Sequence, residues 1–265
     1  MGTKVIYTAH GFHFYEGAPF ANWLLWYPVE RAMTRFTDVL ITINDEDFNR
    51  AKKFAKCRVE YVPGVGIDLE KFKVNKNRDK LRRELGVSEF DKVVLAVGDL
   101  TINKNHQCII RSFLDLDESF GLLICGTGVE RESLLALVSE LGLDSRVRLL
   151  GFRRDIPALM HASDMLVFPS IHEGLPVAVM EAMASGLPVI ATSIRGIVPD
   201  LLENGVNGLV LEDDQPKTIA RSIRELASDI GKTERLAAKA QIDSRRFAVD
   251  RIVSSVGSIY AKALM

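Results

Sequence analysis

The sequence has few cysteines, no long apolar run and almost no net charge, and each absence excludes a class of protein. Its three cysteines, Cys57, Cys108 and Cys125, are odd in number and widely spaced, so they predict neither a disulfide framework nor a CxxC metal pair. We expect buried free thiols in a reducing cytoplasm. No apolar run approaches the roughly 20 residues that span a bilayer. The net charge of -1 argues against a nucleic-acid-binding protein, which would usually be strongly basic.

The composition is that of a globular protein with a real core. Of the 265 residues, 47% are hydrophobic and 26% are charged. At roughly 150 residues per domain, this length predicts one large domain, or one full domain with part of another. The opening residues lack the charged-then-apolar pattern of a signal peptide, so we expect none.

Short β-branched runs alternate with helical stretches along the whole chain, which predicts an α/β fold with parallel sheets. Six strand–helix units between about 90 and 230 predict a complete doubly wound sheet. Only three strands precede residue 70, and at roughly 30 residues per βαβ unit a matching domain would need further residues upstream. Helices are expected, among others, over 19–37, 175–186, 196–205 and 216–263.

The densest motif is FPSIHEGLPVAVMEAMASGLPVIAT, at 168–192. A strand ends in a loop that carries Glu173 and Gly174, and a helix starts at Leu175–Pro176. Ligands bind at the carboxyl ends of strands in such sheets, and the free N–H groups of a helix start suit a phosphate. Glu181 lies about 7.5 Å further along the helix axis, where a carboxylate could accept hydrogen bonds from a ribose. A surface loop followed by an exposed helical Glu is the alternative.

Two glycine-containing turns follow the first two strands of the six strand–helix units between about 90 and 230. In GDLTINKNH (98–106), Gly98 permits a tight turn and Lys104 lies where a cation could meet a pyrophosphate; a solvated loop lysine is the alternative. The GTG turn at 126–128 is not a dinucleotide fingerprint, because Arg131 occupies the third glycine position. Read alone, it is an ordinary strand-to-helix turn.

The first part of the chain offers a histidine and an aromatic helix. His10 directly follows a strand, a position that suits ligand contact or proton transfer, although a lone His more often packs or caps. Trp23, Trp26, Tyr27 and Glu30 share one helix face, for which core packing is favoured over a membrane surface. No metal-binding, nucleophile-elbow or phosphate-loop motif occurs in the sequence.

Taken together, these segments resemble the retaining family-4 glycosyltransferases of the two-domain GT-B fold, above all bacterial exopolysaccharide and capsule members. The resemblance covers almost the whole chain. It rests on TAHGFHFYEGAP, YPVER, TDVLITINDED, VPGVGID, VGDLTINKNH, ICGTGVER, LLGFRRDIP and ASDMLVFPSIHEGLPVAVMEAMASGLPVIAT, in that order. The E-x7-E spacing of that family is present as Glu173 and Glu181.

The resemblance implies a role for each matching residue. It makes His10, Lys104 and Glu173 the catalytic set: His10 and Glu173 near the donor sugar, and Lys104 on the donor pyrophosphate. It places the backbone N–H groups of Gly174 and Leu175, with Pro176, near sugar and phosphate, and Glu181 on the ribose. Gly126, Gly128 and Phe152 would frame the nucleotide base, and Gly98, in the tight turn before Lys104, is also expected among the substrate-binding residues. Asp99 stands where many members of the family have Arg.

The resemblance also implies a domain organisation. Residues 1–75 would be part of an N-terminal, acceptor-side domain, 76–235 the nucleotide-sugar-binding domain, and 236–265 terminal helices that reach back to the first domain. The family's N-terminal domain begins well upstream of TAHGF. We therefore expect either a truncated second Rossmann-like domain or a separate polypeptide that supplies the missing half.

The expected activity is transfer of a hexose from a nucleotide diphosphate sugar to a glycan or lipid-linked glycan hydroxyl, with retention of configuration. The resemblance implies no metal and no cofactor. We expect the protein in the cytoplasm or at the inner face of the membrane, with peripheral membrane contact. A non-catalytic nucleotide-sugar-binding fragment that needs a separate N-terminal half is the alternative. An epimerase of related architecture is a third reading, against which the EGLP…EA segment argues.

Overall fold

The computed structural model describes residues 3–74 and 76–265. Its strands are β1 (Ile6–Ala9), β2 (Val39–Thr42), β3 (Arg58–Tyr61), β4 (Lys92–Val97), β5 (Phe120–Cys125), β6 (Val147–Gly151), β7 (Met165–Phe168), β8 (Val189–Thr192) and β9 (Leu209–Leu211). Its α-helices are α1 (Phe20–Met33), α2 (Asp45–Phe54), α3 (Arg78–Leu85), α4 (His106–Ser112), α5 (Arg131–Glu140), α6 (Ile156–Ala162), α7 (Val177–Ser185), α8 (Pro216–Ser228), α9 (Ile230–Ser244) and α10 (Val249–Leu264).

The strands form two sheets, and the pairings within both are parallel. The larger has six strands in the order β6-β5-β4-β7-β8-β9, and the smaller has three in the order β1-β2-β3. The order of the larger sheet reverses between β4 and β7, as in a doubly wound Rossmann-like fold. The predicted α/β class and the predicted sheet of six strand–helix units are confirmed.

Contacts divide the chain into two units. The first contains residues 1–67, 173–176 and 246–265, and the second contains 68–172 and 177–245. The expected boundaries, at 75/76 and 235/236, therefore differ from those that the contacts give. The first difference arises because the short 3-10 helix Leu69–Phe72 packs against α7, and the second because α9 packs against α7, so that both stay with the larger sheet.

The six-stranded sheet is buried on both faces, as its uninterrupted apolar strands require. On one face, Val94 and Ala96 of β4 belong to a core cluster that includes residues of α4, α5 and α8. On the other face, Val93 and Leu95 are also fully buried, and α6 and α7 pack against the strands there.

The three-stranded sheet likewise has two packed faces. One carries an aromatic cluster in which the rings of Phe12 and Phe14 stack with centroids 4.9 Å apart. The other packs against α10, which buries Ile252 and Ile259. Val249 and Tyr260, which lie three residues before Ile252 and one residue after Ile259, are exposed, so the apolar contact of α10 with the sheet is narrow.

One helix prediction needs correction. Residues 196–205 form turns, because Pro199 lacks an N–H group and disfavours helix in the residue before it. The side chain of Asn207 holds these turns: it accepts a hydrogen bond from Glu203 N at 2.8 Å and donates one to Leu201 O at 3.1 Å. Residues 216–263 are helical as expected and form α8, α9 and α10, and the carboxylate of Asp229 caps the start of α9.

Helix α1 buries only part of its surface. Trp23 and Tyr27 pack against the aromatic cluster, as expected for a core face, whereas Trp26 is more exposed and lies beside His13 with ring centroids 4.9 Å apart. The remaining apolar side chains of this segment are exposed, and they are Phe20, Leu24, Leu25, Val29, Met33 and Phe36. Among the described residues, no helix combines the length and the apolar character that crossing a membrane requires.

The cysteines are free thiols, but they differ in burial. Cys108 and Cys125 are buried as expected, whereas Cys57 is only half-buried because it lies in the turn between α2 and β3. Burial raises the pKa of the Cys108 thiol to about 12. This thiol is therefore protonated at neutral pH and unreactive.

Candidate functional site

The loops that follow β4 to β8 share one edge of the six-stranded sheet, because parallel strands bring their carboxyl ends together. Most of the predicted site residues lie in or just after these loops. Gly98 and Lys104 follow β4, Gly126 and Gly128 follow β5, Phe152 follows β6, and the loop after β7 leads into α7 with Glu181. The second unit thus presents a continuous row of candidate groups.

Lys104 reaches across the ends of two strands. Its side chain passes over Gly98, where the Cδ atom lies 3.2 Å from the position that a Cβ would occupy. Its Nζ atom lies 4.9 Å from the ring centroid of Phe168, the last residue of β7. The half-buried ammonium group is therefore positioned at the point where the strand order reverses.

The glycines after β5 allow two loops to meet backbone to backbone. A Cβ on Gly126 would lie 1.9 Å from the carbonyl oxygen of Gly98, and one on Gly128 would lie 2.3 Å from that of Leu100. Backbone hydrogen bonds accompany this approach, such as that from Leu100 N to Thr127 O at 2.8 Å. Any side chain at Gly126 or Gly128 would force the two loops apart.

The loop after β7 is tied to the loop after β4 by Asn103. Its backbone oxygen accepts a hydrogen bond from Ile171 N at 2.9 Å, and its Nδ2 atom donates one to His172 O at 2.8 Å. From the loop after β8, a guanidinium nitrogen of Arg195 lies 3.3 Å from Nε2 of His172. Neither Asn103 nor Arg195 was among the predicted site residues.

Glu181 lies in the middle of α7 and is half-buried rather than exposed. Burial raises the pKa of its carboxyl group above the ordinary value of 4.5, and the positive charge of Lys71 opposes the shift. A carboxylate that is partly withdrawn from water is a stronger hydrogen-bond acceptor for a bound hydroxyl than an exposed one.

His106, at the start of α4, is a buried titratable group that the sequence analysis did not single out. It is 4% exposed, and burial lowers the pKa of its imidazole to about 4, an effect that the nearby charge of Lys104 reinforces. The ring is therefore neutral at pH 7. In the sequence, its position two residues after Lys104 indicates that it lies near the candidate site.

In the first unit, the predicted loop and the predicted histidine meet. His10 is exposed and directly follows β1. A Cβ on Gly174 would lie 2.5 Å from the carbonyl oxygen of His10, so the segment 173–176 passes against the end of this strand. Leu175 is half-buried and Pro176 is buried just before the first residue of α7.

Phe152 lies at the same edge of the sheet, in the loop that follows β6. It is 69% exposed, and Cζ of Arg154 lies 6.0 Å from its ring centroid. Within residues 3–74 and 76–265, no group of three or more His, Cys, Asp or Glu side chains has a geometry that could hold a metal ion.

Comparisons with known proteins agree with this architecture. The family described as "Glycosyl transferases group 1" matches residues 77–243. The chain is 36% identical to the putative glycosyltransferase EpsD of Bacillus subtilis, an alignment that covers 98% of this chain and 70% of that protein. It is 32% identical to the UDP-Gal:alpha-D-GlcNAc-diphosphoundecaprenol alpha-1,3-galactosyltransferase of Escherichia coli, over 78% of this chain and 56% of that protein.

A solved structure shares the fold over almost the whole chain. The crystal structure of Anabaena HepE in complex with UDP-glucose superposes with a TM-score of 0.86 and 26% identity, and covers 98% of this chain and 72% of the other. The match of the family to the six-stranded unit and the identity to EpsD together show that the chain belongs to the group 1 glycosyltransferases.

Proposed function

We propose that this protein is a retaining family-4 glycosyltransferase that moves a hexose from a nucleotide diphosphate sugar to a hydroxyl group of a glycan or lipid-linked glycan. One observation carries the proposal. The carboxyl edge of the six-stranded sheet holds Lys104 at the reversal of strand order and the half-buried Glu181 on the helix that follows the next loop. This is where a nucleotide binds in a doubly wound sheet.

The donor nucleotide would lie along this edge. Glu181 would accept hydrogen bonds from the ribose hydroxyl groups, and its partly desolvated carboxylate supports that role. The exposed ring of Phe152 and the closely packed turns at Gly98, Gly126 and Gly128 would frame the base and the adjoining atoms. The glycines contribute by keeping the floor of this site free of side chains.

The departing diphosphate gains negative charge as the glycosidic bond breaks. Lys104 would offset this charge, and the N–H groups of Gly174 and Leu175, near the start of α7, would donate hydrogen bonds to sugar and phosphate. These roles need no metal ion or cofactor. The donor sugar would contact Glu173 and His10, a role that the close approach of Gly174 to His10 supports.

Retention of configuration would follow from attack by the acceptor hydroxyl on the same face of the sugar as the departing diphosphate. No side chain here is assigned as a covalent nucleophile. Donor and acceptor classes are supported by the relatives: the Anabaena structure contains UDP-glucose, and the Escherichia coli enzyme is named for a UDP-Gal donor and a diphosphoundecaprenol-linked acceptor. We therefore expect a UDP-hexose donor.

The second candidate is a nucleotide-sugar-binding chain that needs a separate N-terminal polypeptide for its acceptor side. The chain covers 70% of the length of EpsD and 56% of the length of the Escherichia coli galactosyltransferase, and this second candidate assigns it donor binding alone. Positioning of the acceptor supplies much of the rate in a two-substrate reaction, so such a chain would bind donor yet transfer slowly.

One experiment separates the two candidates. The chain is incubated with UDP-glucose or UDP-galactose and a lipid-linked glycan acceptor, and the product is analysed by mass spectrometry and by NMR of the anomeric proton. A product with the donor's anomeric configuration supports the retaining transferase. Donor binding without product, restored by adding a polypeptide homologous to the unmatched part of EpsD, supports the second candidate. A product of inverted configuration would contradict the retaining assignment.

A further inference from the structure

We infer that Phe168 is a positioning residue whose aromatic ring holds the ammonium group of Lys104 at the diphosphate subsite before the donor binds. The inference rests on the proposed function, because it explains how the cation assigned to the diphosphate is kept in place. Ordering a long, flexible side chain at the moment of binding weakens affinity by a factor of about 2 to 12. A group that orders Lys104 in the free chain therefore strengthens donor binding.

Phe168 occupies the centre of the carboxyl edge. It is the last residue of β7, which pairs with β4 on one side and with β8 on the other, and it is only 4% exposed. The strand itself requires only an apolar side chain at this position, because parallel strands buried on both faces accept aliphatic residues equally well. An aromatic ring adds a face of negative electrostatic potential, which an aliphatic side chain lacks.

The side chain of Lys104 is held at both ends. Its stem lies flat against Gly98, where Cγ, Cδ and Cε are 3.4, 3.2 and 3.3 Å from the position that a Cβ would occupy. Its Nζ atom lies over the ring of Phe168, 4.9 Å from the centroid, which is within the range of a cation–π interaction. The ring attracts the charge of the ammonium group as a whole, so the contact is compatible with hydrogen bonds that the three N–H groups donate to other acceptors.

The surroundings strengthen this attraction. Lys104 is half-buried, so water screens the attraction between its charge and the ring less than it would at an exposed site. His106, two residues further along, is buried, and burial lowers the pKa of its imidazole to about 4. This neighbour is therefore neutral at pH 7 and does not repel the ammonium group. The ring thus orients Lys104 and stabilises its charged form where it is partly withdrawn from water.

Fluorinated phenylalanines at position 168 test the inference, because fluorine withdraws electron density from the ring face while the ring keeps nearly the same shape. We expect UDP affinity, measured by calorimetry, to fall stepwise through the mono-, di- and trifluorinated residues. Phe168→Leu, which removes the ring, should weaken UDP binding about 3- to 10-fold, and uridine affinity should change little in all these variants. The matched control is Phe120→Leu, at a 6% exposed position at the amino end of β5, which should leave both affinities unchanged.

The same substitutions in a Lys104→Ala background separate positioning from packing. If Phe168 acts through Lys104, the fluorinated residues and Phe168→Leu should cause no further loss of UDP affinity once the ammonium group is absent. This double-mutant cycle cancels the packing contribution of Phe168 and the contributions of other contacts that Lys104 makes. An equal loss in the wild-type and the Lys104→Ala backgrounds would overturn the positioning role.

The remaining outcomes distinguish this inference from the proposed function. Wild-type protein that binds no UDP overturns both, and so does Lys104→Ala protein that binds UDP with wild-type affinity. If the wild type binds UDP and Lys104→Ala weakens binding, unchanged affinity across the fluorinated series overturns only the role of Phe168, whose ring would then contribute by packing alone. If Phe168→Leu melts well below the wild type, the fluorinated series decides, because it keeps the ring in the core.

Discussion

The carbonyl oxygen of His10 lies against Gly174 so closely that a Cβ at position 174 would approach it to 2.5 Å. Cβ atoms do not reach such distances from backbone oxygens in folded proteins without a shift of one partner. The end of β1 and the segment 173–176 are therefore fitted to each other through the absence of a side chain. The contact involves His10 and the neighbour of Glu173, and His10 and Glu173 are the two residues that we assign to the donor sugar.

Replacing Gly174 by Ala should disturb recognition of the sugar more than recognition of the nucleotide. We expect Gly174→Ala to reduce the affinity for UDP-glucose relative to UDP about tenfold, the size of one lost hydrogen bond to a charged group. Calorimetry with the two ligands measures the ratio. The control is Gly257→Ala in α10, where a Cβ has no atom within 4 Å and should stabilise the helix by about 0.5–1 kcal/mol. An unchanged ratio in Gly174→Ala would remove the basis for the sugar contact.

Glu181→Ala should weaken UDP binding by about 1–3 kcal/mol, as expected for loss of charged hydrogen bonds to the ribose. The loss should be much smaller for 2′,3′-dideoxy-UDP, which lacks the hydroxyl groups. Glu132→Ala, which removes an 84% exposed carboxylate from α5, is the control and should have no effect. Equal losses for UDP and the dideoxy analogue would place Glu181 away from the ribose.

The same carboxyl group predicts a pH dependence. Burial raises the pKa of Glu181 above 4.5, and only the ionised form accepts hydrogen bonds from both ribose hydroxyls through two oxygens. UDP affinity should therefore fall as the pH is lowered through this raised pKa, and the decline should begin at a higher pH than for an exposed Glu. Titrations between pH 7.5 and 5 test this, and Glu181→Gln should flatten the profile. A profile that is identical in Glu181→Gln would assign the pH dependence to another group.

His106 should make the six-stranded unit less stable in acid. Its pKa is about 4 in the folded chain against an ordinary 6.5, so between these values the unfolded chain binds a proton that the folded chain does not. The stabilisation is complete above pH 6.5 and is lost as the pH falls toward 4, by up to about 3 kcal/mol. Urea unfolding at several pH values should show a shallower slope for His106→Gln. His161→Gln, on α6, is the control, and a slope that His106→Gln leaves unchanged would contradict the prediction.

The exposed apolar residues of α1 and of the turn that follows it should bind anionic membranes. Leu24 is 69% exposed and Phe36 is 72% exposed, and the exposed charges of this segment, Arg31 and Arg35, are both basic. We expect co-sedimentation with vesicles that contain phosphatidylglycerol, and several-fold weaker binding for Leu24→Glu. The control is Val129→Glu, at an 87% exposed position of the second unit. Equal binding by both variants would show that α1 is not the contact surface.

The parts of the fold that could be predicted from sequence are those with an unambiguous local pattern. The apolar runs that form β4 and β5 predict strands because parallel strands buried on both faces require them. The segment 196–205 was mispredicted because its apolar spacing resembles a helix while Pro199 and the side chain of Asn207 decide its conformation. Local pattern does not report such competition.

Only some residues of the candidate site could be predicted from the sequence in the same way. Lys104 and Glu181 stand in recognisable motifs, whereas Arg195 is a single loop arginine without periodicity or neighbours of its type. Its contact with His172 depends on the strand order, which places the loop after β8 beside the loop after β7. The close approach of Gly126 to Gly98 is likewise a tertiary contact between residues of two separate loops.

The function we propose requires the carboxyl edge of the six-stranded sheet to bind the nucleotide of a sugar donor through Lys104 and Glu181. Calorimetric titration of UDP into the wild-type chain and into Lys104→Ala/Glu181→Ala measures this binding. We predict saturable binding at one site in the wild type, and a loss of at least about 100-fold in the folded double variant, from the removal of two charged contacts. Binding of UDP with the same affinity by both proteins would contradict the claim.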